Sequence, residues 1–260
     1  MNTIASSLKQ KLQSGRQVVG LFCCTYSPQI SEALGEIGLD FLLFDNEHTP
    51  NNAVNLHAQL CALKGCGTEA VLRLPMIDEF TIKLALDLGV RSLMLPNVKT
   101  PEEVQHLMRY AYYPPLGQRG IAGSVRAARY GRNQQYLQEA NQQTSLIIQI
   151  ESLQGVENLE AILQSSSHVD AVFLGPHDLA ADIGLLGQPR HERVVALCVQ
   201  AIQTATRLGK ASGILCAPPD MAVFQEAGAR MFVPGSDMGV LLNSAIQLLQ
   251  RFEELANKRR

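Results

Sequence analysis

The feature that most constrains the fold is a regular alternation of short apolar runs with helical patterns along the whole chain. Most of the runs are continuously apolar, as expected for parallel strands that helices cover on both faces. Eight of them occur, at 17–24, 40–45, 70–75, 92–98, 145–151, 171–176, 211–217 and 231–236. Strict alternation with this count predicts an α/β protein, a closed (β/α)8 TIM barrel. A doubly wound open sheet is the alternative, but no strand precedes a GxGxxG or Walker motif.

Length agrees with one barrel, because 260 residues is typical of that fold. We therefore expect a single domain over residues 1–260. A long connection at about 113–143 breaks the rhythm, and it is either a solvated surface excursion, a flap or a subunit contact. A final helix at about 244–258 carries an apolar stripe that must pack on its own barrel or on a neighbouring subunit. The stripe consists of Ile246, Leu248, Leu249, Phe252 and Leu255.

Charge and hydropathy exclude several classes of partner. The formal net charge is −2 and the basic run is confined to Lys258, Arg259 and Arg260, so nucleic acid is not expected as a partner. No stretch reaches the roughly 18 apolar residues of a membrane span, and the N-terminal segment lacks the apolar core of a signal peptide. The six cysteines lack the short paired spacing of zinc sites, so we expect thiols in a reducing cytoplasm.

Polar residues end the predicted strands, where the active sites of such barrels lie. His48 follows the second strand, Arg73 ends the third, Glu151 ends the fifth two residues after Gln149, and Asp178 follows the sixth. The fifth and sixth strands are neighbours, so Glu151 and Asp178 could converge on one divalent cation, Mg²⁺, Mn²⁺ or a similar ion. The alternative is that one carboxylate caps a helix, as Asp178 could for the segment that follows it.

Two further side chains suggest chemistry. Arg73 lies in an otherwise apolar strand, where a charge must be paired or directed at a ligand such as a 2-oxo acid. His48 is a candidate general base, or else it buttresses its loop. Asp87 lies near the C-terminal end of a helix, where the helix dipole disfavours an acid. It pairs with Lys83 on the surface, or it turns inward to orient the imidazole.

At these residues the sequence resembles the HpcH/HpaI family of class II pyruvate aldolases. The resemblance runs from about Val19 to Asp237, through the segments FDNEHTP, LRLP, YYPPLGQRG, RAARYG, IQIESLQGVENLEAI, FLGPHDLAADIG and PGSDMGV. It implies reversible cleavage of a 4-hydroxy-2-oxo acid, such as 2-dehydro-3-deoxyglucarate or 4-hydroxy-2-oxoheptanedioate, to pyruvate and an aldehyde. It also implies one divalent metal ion (Mg²⁺, Mn²⁺ or Co²⁺) and a homohexamer that exchanges its C-terminal helix.

The resemblance assigns a role to each candidate. Glu151 and Asp178 are the implied metal ligands, Arg73 stabilises the enolate, and His48 is the base with Asp87 as its partner. Binding of pyruvate is assigned to Gln149 and to the backbone amides of His177 and Asp178.

One departure concerns specificity. His177 stands where relatives commonly carry a small residue, so we expect an altered pocket. Three alternatives remain, namely a CoA-ester lyase of the citrate-lyase-β type, a Schiff-base aldolase that uses Lys99, and a non-catalytic barrel that binds a 2-oxo acid.

Overall fold

The structure is a computed structural model that describes residues 7–257. The basic run Lys258, Arg259 and Arg260 therefore lies outside the described residues. Eight parallel strands close into a barrel in sequence order, with β1 paired to β8. They are β1 (Val18–Cys23), β2 (Phe41–Asp45), β3 (Glu69–Arg73), β4 (Ser92–Leu95), β5 (Ser145–Ile150), β6 (Val169–Leu174), β7 (Ala211–Leu215) and β8 (Met231–Val233). The predicted barrel is confirmed, and the open sheet is excluded.

Helices surround the barrel, and most follow the predicted patterns. They are α1 (Leu8–Gln13), α2 (Pro28–Gly35), α3 (Ala53–Ala62), α4 (Glu79–Leu88), α5 (Pro101–Ala111), α6 (Tyr136–Gln143), α7 (Leu153–Gln164), α8 (Pro176–Asp182), α9 (Glu192–Arg207), α10 (Met221–Ala227) and α11 (Asp237–Asn257). None of the helices within residues 7–257 is long and apolar enough to cross a membrane.

The core has two layers, which explains the continuously apolar strands. In β2, Phe41 and Leu43 belong to a cluster that fills the barrel, whereas Leu42 and Phe44 pack in a larger cluster with the surrounding helices. Alternate residues of a strand point to opposite faces, and here both faces are buried. Leu8 of α1 also joins the inner cluster. Because α1 directly precedes β1, it closes the end of the barrel opposite the active-site rim.

The long connection lies at that same opposite end, because it joins the C-terminus of α5 to the start of β5. It contains a 3-10 turn, Arg126–Ala128, and α6. Arg126 donates to the carbonyl oxygens of Leu60 and Leu88, at the C-terminal ends of α3 and α4, where a cation is favoured. The connection is therefore docked on its own barrel rather than freely solvated. A flap over its own active site is wrong, since the rim is at the other end, and a subunit contact stays a prediction.

The C-terminal helix is longer than predicted, because α11 begins at Asp237 rather than near residue 244. Of its residues only Asp237 is buried. The five side chains of the predicted stripe are 51% to 68% exposed, so their own barrel does not cover them.

Candidate active site

The centre of the rim is a buried ion pair between neighbouring strands. Asp45 and Arg73 are register partners at the ends of β2 and β3, so their side chains leave the sheet on the same side. Arg73 Nε donates to Asp45 Oδ1 at 3.0 Å and Nη2 donates to Oδ2 at 2.8 Å. Its guanidinium also lies over the ring of Phe22, 4.8 Å from the centroid. This fork, with packing beneath it, fixes the plane of the guanidinium.

Glu47 extends the pair toward His48. Glu47 Oε2 lies 3.1 Å from Arg73 Nη1 and 3.7 Å from His48 Nε2. Asp45 Oδ1 accepts from the backbone N–H groups of Glu47 and His48, which folds the turn after β2 over the pair. The imidazole of His48 is 64% exposed, so it faces the open mouth of the barrel. Burial raises the pKa of Asp45, but the hydrogen bonds and charge of Arg73 and the two amides outweigh that effect and lower it.

Glu151 and Gln149 occupy the adjoining part of the rim, at the end of β5. Both are buried, and Gln149 Nε2 donates to Glu151 Oε2, as their spacing along one face predicts. A Cβ at Gly175 would lie 2.5 Å from Glu151 Oε2 and 3.0 Å from Gln149 Nε2. Only glycine therefore lets the chain after β6 pass so close to these two side chains.

Asp178 reaches the site from the first turn of α8. Gly175 is the N-cap of that helix and Pro176 its first residue, so the reading of Asp178 as the cap of this segment is wrong. β5 and β6 are hydrogen-bonded neighbours, as the proposed convergence of Glu151 and Asp178 requires. Burial, then the charges of Asp178 and Glu47, raise the pKa of Glu151 to about 7. Burial also raises the pKa of Glu47.

These residues fit a divalent cation. The carboxylate of Glu151 is buried beside two other acids, and Gln149 Oε1 is buried without a hydrogen-bond partner among the described residues. Residues 7–257 contain no set of three or more His, Cys, Asp or Glu side chains arranged to hold a metal by themselves. Mg²⁺ commonly needs fewer, since one or two carboxylates hold it together with water and substrate. Two carboxylates with open positions therefore suit an ion that also binds substrate.

Within one chain, Asp87 does not reach His48. α4 starts at the active-site rim and runs back along the barrel, so Asp87 lies about 12 Å from the start of the helix, toward the opposite end. Its Oδ1 accepts from Arg119 Nη2 at 2.5 Å, rather than from the imidazole or from Lys83. Arg119 is 2% exposed and also donates to the hydroxyl of Tyr136. The predicted pairing of Asp87 with His48 in a single chain is thus wrong, because helix direction separates the two residues.

Asp237 and Lys99, two further residues near the rim, make hydrogen bonds that hold the backbone in place. Asp237 accepts from the backbone amides of Cys24 and Thr25 and from the Thr25 hydroxyl, which ties the start of α11 to the end of β1. The backbone of Lys99 donates to Glu103 and accepts from Asn158. No contact joins Lys99 to the Asp45–Arg73 pair in the described part of the chain.

Comparison with known proteins identifies the family. The profile of the HpcH/HpaI aldolase/citrate lyase family matches residues 18–244. The chain belongs to this family. The HpcH/HpaI fold is shared with a solved family protein from Burkholderia cenocepacia, which is 37% identical with a TM-score of 0.91 over 95% of this chain and 98% of that one.

Two relatives with aldolase names are similar over nearly their full lengths. A hydroxypyruvate/pyruvate aldolase of Roseobacter denitrificans is 36% identical, covering 96% of this chain and 98% of its own. A 4-hydroxy-2-oxo-heptane-1,7-dioate aldolase of Shigella sonnei is 39% identical, covering 95% of each chain. Both names describe aldolases of oxo acids.

Proposed function

We propose that the protein is a divalent-metal-dependent aldolase that reversibly cleaves a 4-hydroxy-2-oxo acid to pyruvate and an aldehyde. The observation that carries this proposal is the buried Arg73, aligned by Asp45 beside the acids Glu47, Glu151 and Asp178. A fixed guanidinium next to a cluster of acids suits a reaction in which negative charge develops on an oxygen atom. The two aldolase relatives support the same class of reaction.

The proposed metal ligands are Glu151 and Asp178. A bound Mg²⁺, Mn²⁺ or Co²⁺ ion supplies Lewis-acid stabilisation of charge on the oxo acid. Gln149 orients Glu151 through their hydrogen bond. Gln149 also holds the pyruvate part, together with the backbone amides of His177 and Asp178 in the first turn of α8.

His48 and Arg73 serve different steps. His48 removes the proton of the C4 hydroxyl, and the C3–C4 bond then breaks to release the aldehyde. Arg73 stabilises the resulting enolate. Three of its N–H groups face Asp45 and Glu47, and a guanidinium has five, so donors remain for a substrate oxygen. Protonation of the enolate at C3 gives pyruvate.

The chain works as a homo-oligomer in this proposal, a hexamer by family resemblance. The exposed apolar stripe of α11 needs cover, and a neighbouring subunit supplies it. Asp87 can then be the partner of His48 only across such an interface. The end of one barrel, which carries Asp87, would meet the active-site rim of another barrel, which carries His48. We place the enzyme in the cytoplasm, because all six cysteines are free thiols.

The test separates enolate formation from bond cleavage. Exchange of the pyruvate methyl protons with D₂O requires only enolate stabilisation, whereas cleavage also requires the base. We expect Arg73→Lys to impair both reactions, because lysine lacks the planar fork. His48→Ala should slow cleavage by about 10²- to 10⁴-fold, the usual contribution of a general base, with the metal still bound. Exhaustive chelation should abolish both reactions, and added Mg²⁺, Mn²⁺ or Co²⁺ should restore them.

Other outcomes point to the alternatives. Activity that survives chelation, with pyruvate trapped on Lys99 by borohydride, would replace this proposal with a Schiff-base aldolase. Turnover of a CoA ester without methyl exchange would favour the lyase of the citrate-lyase-β type. Binding of pyruvate with neither exchange nor cleavage would leave a non-catalytic barrel.

A further inference from the structure

A cavity of about 380 Å³ opens beside the active-site rim, and the chemistry proposed above does not use it. It lies between the ends of β6 and β7, with α9 and α10 behind it. The side chains of His177 and Leu215 form its inner border. A space of this size is within the usual range for small-molecule pockets.

The cavity adjoins the reaction centre on two sides. His177 lines the cavity and directly precedes the proposed metal ligand Asp178 in the first turn of α8. Leu215 packs against the cluster inside the barrel that contains Phe22, and the ring of Phe22 lies under Arg73. Leu215, which lines the cavity, therefore connects it through this cluster to the place where Arg73 would act on a substrate.

The residues that line the cavity indicate which part of a substrate it suits. The outer wall is largely apolar and includes Val195, Val223 and Phe224. Its charged residues are Arg190 and Asp220, and Arg190 Nε donates to Asp220 Oδ2 at 2.7 Å, so the two charges neutralise each other. A carboxylate entering this space would lose hydration and would meet an ion pair without net charge, so no net positive charge compensates the loss.

We propose that this cavity binds the uncharged apolar chain of the aldehyde, and so selects apolar over carboxylate-bearing aldehydes. The inference rests on the proposed aldolase activity and names its substrate class. It also gives His177 a function, because this bulky residue lines the cavity directly beside the proposed metal ligand Asp178.

The experiment is condensation of pyruvate with two aldehydes of similar shape, 4-methylpentanal and 4-oxobutanoate. In this reaction C3 of pyruvate loses a proton and bonds to the aldehyde carbon, and the aldehyde oxygen gains a proton as a hydroxyl. We expect kcat/KM to favour 4-methylpentanal by about tenfold or more, because its branched end replaces a carboxylate that would have to be desolvated.

Two variants test the cavity itself. Val223→Trp fills it from an exposed position on α10 and should lower kcat/KM for 4-methylpentanal by about tenfold. Asp220→Asn frees Arg190 and should shift the preference toward 4-oxobutanoate by about two- to fivefold, the size expected for an exposed ion pair. Val54→Trp, at an exposed site on α3 outside the cavity, is the matched control and should leave the preference unchanged.

Pyruvate methyl exchange in D₂O needs no aldehyde, so it is measured on each protein as a separate check. Absent exchange in the wild type would overturn the proposed function. Normal exchange with a preference for 4-oxobutanoate, or with equal preferences in wild type, Val223→Trp and Asp220→Asn, would overturn the cavity proposal alone. Thermal unfolding of each variant distinguishes a blocked cavity from a misfolded protein.

Discussion

The Asp45–Arg73 pair determines how the acidic rim responds to pH. The folded-state pKa of Asp45 is lowered, so its contribution to stability is present above the unfolded value of about 3.9 and is lost as pH falls through the folded value. Asp45→Asn leaves Arg73 buried with a weaker partner. We expect it to cost about 2–3 kcal/mol at neutral pH, measured by urea unfolding. That cost should shrink as pH falls below about 4, because Asp45 of the unfolded wild-type chain then binds a proton while the folded-state carboxylate, with its lowered pKa, still resists it.

A matched control comes from the surface. Glu160 pairs with Arg207 at 2.8 Å, but both side chains are about half exposed, so Glu160→Gln should change stability little at any pH. A cost of Asp45→Asn that stayed constant down to pH 3 would show that shape, rather than charge, accounts for the effect.

The sequence alone predicts candidate residues of the rim but not the side chains that pair with them. The candidates are predictable because charged or polar residues at the ends of apolar strands are costly to bury without a partner or a ligand; they are His48, Arg73, Gln149, Glu151 and Asp178. Asp45 and Glu47 were not recognised as the partners of Arg73. The signal was the acidic DNEH segment, but only the register of β2 with β3 shows that Asp45 and Arg73 lie side by side.

Among the elements, the turn from β6 to α8 shapes the proposed metal site. Gly175 has an ordinary φ of −105°, so its role is space rather than backbone freedom. Gly175→Ala would press a methyl group against Glu151 and Gln149. We expect weaker divalent-metal binding by calorimetry and a loss of about 1–3 kcal/mol of stability, as for other overpacked sites.

Gly67→Ala is the control for that substitution, because a Cβ there meets nothing within 4 Å. It should leave metal binding unchanged and alter stability by less than about 1 kcal/mol. If Gly175→Ala bound the metal with wild-type affinity, the close approach of Gly175 to Glu151 and Gln149 would not be needed for metal binding.

The order of the elements is predictable from the sequence. Continuously apolar runs mark the eight strands, because both faces of each strand are buried, and a periodic apolar face marks most helices. α1 and α6 were missed, since a six-residue helix and an eight-residue helix inside a long connection give weak patterns. The position of Asp87 depends on helix direction. Residue spacing does not show that direction, but β-α alternation does, because a helix between two parallel strands must run back to the opposite end of the barrel.

At the scale of the whole molecule, α11 indicates assembly. Leu249 and Phe252 belong to its exposed apolar stripe, whereas Gln247 and Gln250 lie on the opposite side of the helix, since each residue advances about 100°. A helix with one apolar side and one polar side, left uncovered by its own barrel, is expected to bury its apolar side in another subunit.

Light scattering at micromolar concentration should therefore give a mass well above the 28.4 kDa of one chain. The double variant Leu249→Glu/Phe252→Glu should dissociate, because buried carboxylates without partners are strongly unfavourable. Gln247→Glu/Gln250→Glu adds the same charge on the polar side and should leave the mass unchanged.

If Asp87 serves His48 of another subunit, the dissociated variant should also lose cleavage more than methyl exchange, because only cleavage needs the base. A wild-type monomer, or an active dissociated variant with normal cleavage, would mean that each barrel works alone.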